Sequence, residues 1–209
     1  MALRSMKILL LGDGAVGKTS LVRRFVEQKF DDRYIATIGV NVKKKRLPEL
    51  GIKMMLWDIY GQKMNKNLHA SHYSGADGAI IVYDLTRYDT FLSLNGWIDE
   101  VFSVTGKIPL VILGNKLDLI EKYESSRYDD FDSFIKREQS HIVDFYKKVY
   151  EEVPDFSMVS PDEQSRWAED KRAEIESEFS CYLTSAKTGE NVEEAFRKIG
   201  EILLEEEIK

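Results

Sequence analysis

The chain has 209 residues, of which 43% are hydrophobic and 32% charged, with a formal net charge of −6. That length suits a single domain with a real core, and the acidic balance argues against a nucleic-acid partner. The one cysteine, Cys181, excludes an internal disulfide, and no apolar run is long enough to span a membrane.

The opening MALRSM has one basic residue and no apolar core, so it does not read as a signal peptide. Short apolar runs then alternate with helical patterns. Strands are expected at Met6–Gly12, Val40–Arg46, Lys53–Asp58, Gly78–Asp84, Leu110–Asn115 and Ser180–Thr184. Helices are expected at Lys18–Gln28, Asn67–Ser74, Phe91–Val104 and Val192–Leu204. This alternation predicts an α/β domain with a mostly parallel sheet covered on both faces.

The first strand runs into GDGAVGKTS, Gly12 to Ser20. Gly12-x-x-x-x-Gly17-Lys18-Thr19 is a phosphate-binding loop pattern between a strand and an amphipathic helix. Its glycines let backbone N–H groups curl round phosphate oxygens, and the helix aims its positive end at the same place. Lys18 supplies a point charge to the β- and γ-phosphates, and the Thr19 hydroxyl suits Mg²⁺. Leu47 to Gly51, with Pro48, reads as a hairpin turn, and KKKR (Lys43–Arg46) as a solvated edge strand.

GNKLD (Gly114–Asp118) follows an apolar strand, where α/β sheets bind ligands. An aspartate there can accept two hydrogen bonds from guanine N1–H and its amino group. Adenine offers no such pair and would leave the carboxylate unsatisfied. TSAKTG (Thr184–Gly189) follows the last strand and can present a backbone N–H to the guanine carbonyl.

Between Leu119 and Ser180 the alternation stops. Phe131, Phe134, Ile142, Phe145, Val149 and Val153 recur at helix spacing up to Pro154. Ser160-Pro161-Asp162-Glu163 then starts a second helix toward Phe179. Residues 121 to 178 hold 17 acidic and 9 basic side chains, so the whole acidic excess of the chain lies here.

In these motifs the chain resembles the Ras-superfamily small GTPases, and the Rab branch most. YIATIGVNV (Tyr34–Val42) is similar to the Rab switch I. WDIYGQK (Trp57–Lys63) is similar to switch II, and SHYSGADGAIIVYDLT to the Rab segment after it. The resemblance covers about residues 7–103, 108–119 and 180–204 and omits the acidic segment. It implies the P-loop NTPase, small G-protein fold. That is a six-stranded, mostly parallel sheet with one antiparallel edge strand, in a single domain spanning 1–209 with an extended acidic helical insertion at 121–179.

The resemblance also implies roles. GTP or GDP would be held by Asp13, Gly14, Ala15, Val16, Gly17, Lys18, Thr19 and Ser20 at the phosphates. Tyr34 and Thr37 would contribute from switch I. Phe30, Asn115, Lys116, Asp118, Ser185, Ala186 and Lys187 would surround the base. Mg²⁺ would take Thr19, Thr37 and, through water, Asp58. Gln62 would orient the attacking water, with Lys18, Thr37 and the Gly61 N–H at the γ-phosphate. Gly14 leaves room for Gln62. None of the matched motifs places an arginine as a built-in finger, so turnover is expected to be slow and to need an activating partner. An exchange factor and effectors are implied too, with loss of the γ-phosphate relaxing both switches. The resemblance implies a monomeric signalling switch of vesicle trafficking, cytoplasmic, reaching membranes only through partners.

Four features depart from the family. Tyr60 stands where a small residue usually precedes Gly61, and is expected to hinder the peptide rotation at Gly61. Lys63 reverses a charge on switch II, pointing to different partners. EILLEEEIK carries no cysteine for prenylation, so no covalent lipid anchor is visible. The path from Asp118 to Ser185 is far longer than the family's, and reads as either an acidic docking arm or a packed embellishment. His69, His72 and His141 form no metal constellation with Cys181. The main reading is a GTP phosphohydrolase switch. The alternatives are a nucleotide-bound pseudo-GTPase disabled by Tyr60, and a P-loop kinase or ATPase, against which Asp118 argues.

Overall fold

The computed structural model describes residues 3–31, 39–59, 66–123 and 180–206, with backbone alone for 66–69, 121–123 and 206. The helices expected between 131 and 179 lie outside the described residues. Six strands, β1 (Arg4–Leu11), β2 (Val40–Leu47), β3 (Ile52–Ile59), β4 (Gly78–Asp84), β5 (Leu110–Asn115) and β6 (Ser180–Thr184), form one sheet. Their order is β2-β3-β1-β4-β5-β6. Only the β2–β3 pair among them is antiparallel, so the KKKR strand is the edge, as its lysines imply.

The helices are α1 (Lys18–Glu27), α2 (Lys66–Tyr73), α3 (Tyr88–Leu92), α4 (Leu94–Thr105), α5 (Leu117–Tyr123) and α6 (Val192–Glu206). The central strands are apolar almost continuously because both their faces are covered. In β1, Met6, Ile8 and Leu10 join one core with α1 and α6, while Leu9 and Leu11 join a second with Trp97, Ile98 and Val101 of α4. Phe25 of α1 stacks on Phe196 of α6 with centroids 4.5 Å apart, locking the first layer. No helix of the described residues is long and apolar enough to cross a membrane.

Three details differ from expectation. The helix expected at Phe91–Val104 starts at Tyr88 and is broken at Ser93, whose hydroxyl donates to the Asp89 carbonyl four residues back. Such back-bonding competes with the helix ladder and bends it. Helix α5, seven residues long, has too little apolar periodicity to announce itself in sequence. Cys181, in the apolar stretch CYL that reads as buried, is only half-buried at the margin of the second core.

Candidate functional site

Every parallel strand points its C-terminal end the same way, so the loops after β1, β3, β4, β5 and β6 crowd one edge of the sheet. β1 connects onward to one side through β3 and the chain then crosses to β4 on the other. The crevice between those diverging paths is where open α/β sheets bind ligands. The Gly12–Thr19 loop lies there.

The loop's glycines are required by close backbone approach. Gly12 has φ 130°, and a Cβ on it would sit 2.1 Å from the Val82 carbonyl oxygen. Gly17, with φ 100°, caps α1, and its Cβ would meet the Asn115 amide nitrogen at 2.2 Å. Lys18 folds back across the loop and donates to the carbonyls of Gly12 (2.7 Å) and Asp13 (2.8 Å). Burial pushes its ammonium pKa down to about 8, against the pull of the Asp58 and Asp13 carboxylates. A buried ammonium held by carbonyls favours a polyanion nearby.

Thr19 donates its hydroxyl to Asp58 Oδ2 at 2.6 Å. Asp58 is 1% exposed, and its Oδ1 is buried with no hydrogen-bond partner among the described residues. Burial raises the Asp58 pKa, and the Thr19 hydroxyl and Lys18 offset part of that. A threonine hydroxyl beside a buried, donor-less carboxylate oxygen is the hard oxygen set that Mg²⁺ takes, so these residues fit that ion.

The GNKLD and TSAKTG motifs are knitted to the Gly12–Thr19 loop. Asn115, 1% exposed, donates to the Val16 carbonyl (2.9 Å) and accepts from the Ala186 N–H (3.1 Å). The Ala186 N–H expected at the guanine carbonyl is thus engaged by Asn115. Asp118 opens α5 and accepts from the Ser185 hydroxyl at 2.6 Å. Lys116 has φ 72° and reaches Asp84 Oδ2 at 2.6 Å. Phe30 is half-buried against the first core. Ala15 and Lys187 are exposed, and Ser20 is partly so in the first turn of α1. Tyr34, Thr37, Tyr60, Gly61, Gln62 and Lys63 lie outside the described residues.

Contacts that sequence reading missed come from distant elements. Arg24 of α1 donates through Nε to the Ala186 carbonyl at 2.8 Å and through Nη2 to the Lys187 carbonyl. Trp97 of α4 donates its indole N–H to Asp13 at 2.9 Å. Asp84, at the end of β4, accepts from Thr86, Arg87 and Lys116. Burial opposes its ionisation, but these bonds outweigh it and hold the carboxyl below its ordinary value. Only the DLT stretch after an apolar strand hinted at it.

On the far face of β2 and β3, Val42 (38% exposed) lies opposite Trp57 in register. Trp57 carries the Lys7 ammonium 4.1 Å from its ring centroid, and the His72 ring lies 6.5 Å away. The strip is apolar, with the Lys7 ammonium at its rim.

A family model described as the Ras family matches residues 7–205. The chain is 42% identical over 120 residues to Ras-related protein Rab-18-B of Danio rerio and 43% over 126 to Ras-related protein Rab-21 of Geodia cydonium. It is 31% identical over 207 residues to Ras-related protein Rab7 of Drosophila melanogaster. These matches cover 56%, 59% and 96% of this chain, and 58%, 55% and 81% of the relatives. The chain thus spans little more than half the length of the first two. With the glycine loop, the Thr19–Asp58 pair and the Asn115 bridge on one sheet edge, and a family match over nearly all of it, the chain belongs to the Ras family as a Rab-like small GTPase.

Proposed function

We propose that this chain binds GTP and GDP with Mg²⁺, hydrolyses GTP to GDP and phosphate, and changes its effector surface as it does so. The observation that carries the reading is the buried, donor-less Asp58 Oδ1 beside Thr19 and the Lys18 ammonium. An acidic and a basic group poised together under a glycine loop suit a metal-bound polyphosphate.

The residues divide the work by position. The amides of residues 13–20 and the Lys18 ammonium hold the β- and γ-phosphates and absorb charge as the bond to the γ-phosphoryl group breaks. Thr19, Thr37 and, through water, Asp58 hold Mg²⁺, which when bound neutralises charge on the phosphate oxygens. Gln62 orients water in line with the leaving GDP, and the Gly61 and Thr37 amides contact the γ-phosphate. Asp118 accepts from guanine, between Phe30 and the Lys116 stem, with Ser185, Ala186 and Lys187 closing the pocket. Asn115 acts at the base mainly by tying that loop to Val16.

Release of Thr37 and Gly61 after hydrolysis changes the surface formed by residues 37–42 and 57–73. Effectors dock on that surface, and the Val42–Trp57–His72 strip gives it an apolar centre. Intrinsic hydrolysis is slow. An activating protein speeds it, an exchange factor reloads the site, and the protein works as a monomer in the cytoplasm, meeting membranes through partners.

The test is to identify the nucleotide carried by the purified chain and follow phosphate release under single-turnover conditions with Mg²⁺. Bound guanine nucleotide and slow phosphate release are expected. Tyr60 favours the second reading, a pseudo-GTPase, and Tyr60→Ala separates the two. A marked gain in hydrolysis shows that Tyr60 restrains switch II, and equal rates remove that idea. Bound guanine nucleotide with no phosphate release from the wild type, and release restored in Tyr60→Ala, supports the pseudo-GTPase.

A further inference from the structure

Asp84 is a buried carboxylate, 1% exposed, that the catalytic scheme does not use. Its Oδ2 accepts from two cations. One is Lys116 Nζ at 2.6 Å, from the base-side motif. The other is Arg87 Nε at 2.9 Å. The second arm of that guanidinium, Nη2, donates to the Gly14 carbonyl at 2.8 Å. One carboxylate therefore joins the base-side loop to the phosphate loop, with Arg87 as the last link.

The local chain is built to place Arg87. Thr86 donates its N–H (3.0 Å) and hydroxyl (2.7 Å) to Asp84 Oδ1. The Thr90 hydroxyl donates to the Arg87 carbonyl at 2.6 Å and accepts from the Asp84 N–H at 2.9 Å. The turn is therefore fixed on both sides of Arg87. A guanidinium can span a carboxylate and a carbonyl with two parallel arms, whereas an ammonium is a point donor.

The grip on Gly14 has a consequence one atom further along. In a planar trans peptide the C=O and the next N–H point in opposite directions. Holding the Gly14 carbonyl outward holds the Ala15 N–H inward. Ala15 has φ 62°, a left-handed conformation that a residue with a Cβ adopts only when its surroundings hold it. Arg87 supplies that hold from outside the loop.

We propose that Arg87 is a positioning residue for nucleotide retention: bridging Asp84 and the Gly14 carbonyl, it sets the Ala15 N–H toward the phosphates and couples that amide to Lys116. This rests on the pocket being a guanine-nucleotide site.

Release of a fluorescent GDP analogue from the full chain in Mg²⁺ tests it, by stopped flow. Arg87→Ala is expected to release on the order of tenfold faster, the loss of one charge-assisted bond at a partly exposed donor. Arg87→Lys keeps the charge and one contact. It is expected to restore the melting temperature of the nucleotide-free protein but not the slow release. Combining Arg87→Ala with Lys116→Ala is expected to accelerate release by less than the product of the single effects, because both act through Asp84.

Wild-type release from Arg87→Ala overturns the proposal. So does full restoration by Arg87→Lys, which would reduce the role to charge, or strictly multiplicative effects in the double variant. A wild-type protein that retains no GDP at all refutes the nucleotide reading instead, before any variant is compared.

Discussion

The two ends of the proposed nucleotide pocket are built differently. At the base end, protein groups already satisfy one another: Asn115 bonds Val16 and Ala186, Ser185 bonds Asp118, and Arg24 holds two carbonyls of the last loop. At the phosphate end, among the described residues, an ammonium rests on carbonyls and a buried carboxylate oxygen has no donor. Recognition of a base depends on shape fixed in advance. Binding of a metal and polyphosphate depends on charge that the ligand itself completes. Among the described residues, the base end is internally hydrogen-bonded and the phosphate end keeps one buried carboxylate oxygen without a donor.

That contrast sets the size of mutational effects. The largest falls on the phosphate end. Lys18→Ala removes its buried cation, and GDP affinity measured by calorimetry should drop about a hundredfold or more while the melting temperature of the free protein holds or rises. A drop in both would break the contrast.

Next, Asn115→Ala should act on the fold as well as the ligand. It leaves the Val16 carbonyl and the Ala186 N–H buried without partners. Two such groups cost about 2–4 kcal/mol of unfolding free energy, readable in urea titrations of the nucleotide-free chain. An unaffected midpoint would show that the base end is not preassembled.

Arg24→Ala should be milder and more selective. It frees the Ala186 and Lys187 carbonyls, so preference for GDP over ADP should weaken several-fold, on the order of 1 kcal/mol, with little change in inorganic pyrophosphate binding. Equal loss for both ligands would place Arg24 in general stability.

The smallest effect is the acid response of Asp84. Its folded pKa lies below the ordinary 3.8, so its bonds contribute fully above that pH. The contribution is lost as pH falls through the folded value. Asp84→Asn should flatten that part of the acid unfolding curve, followed by circular dichroism, and an unchanged curve would remove Asp84 as a cause.

Much of this was legible in the sequence. Five strands were readable as apolar runs because buried parallel strands tolerate few polar residues, and the sixth, β2, as a lysine-bearing edge strand. The glycines at 12 and 17 were readable because only a residue without a Cβ fits there. Asn115 was found by its motif, but its bridging role was not, since it depends on which loop folds beneath it. Arg24 and Arg87 were illegible for the same reason. Arg24 meets a carbonyl 162 residues away and Arg87 one 73 residues away, and a carbonyl is present on every residue, so no side-chain pattern marks the partner. Helix α5 and the Ser93 break were missed because short, polar turns carry no period.

The central claim is that one guanine nucleotide is gripped at both ends, by the loop around Lys18 and by Asp118. Competition of GDP and ADP for the nucleotide-free protein, with Mg²⁺ present, tests it most directly. The account predicts that GDP excludes ADP even when ADP is in large excess. Equal competition by the two would contradict it.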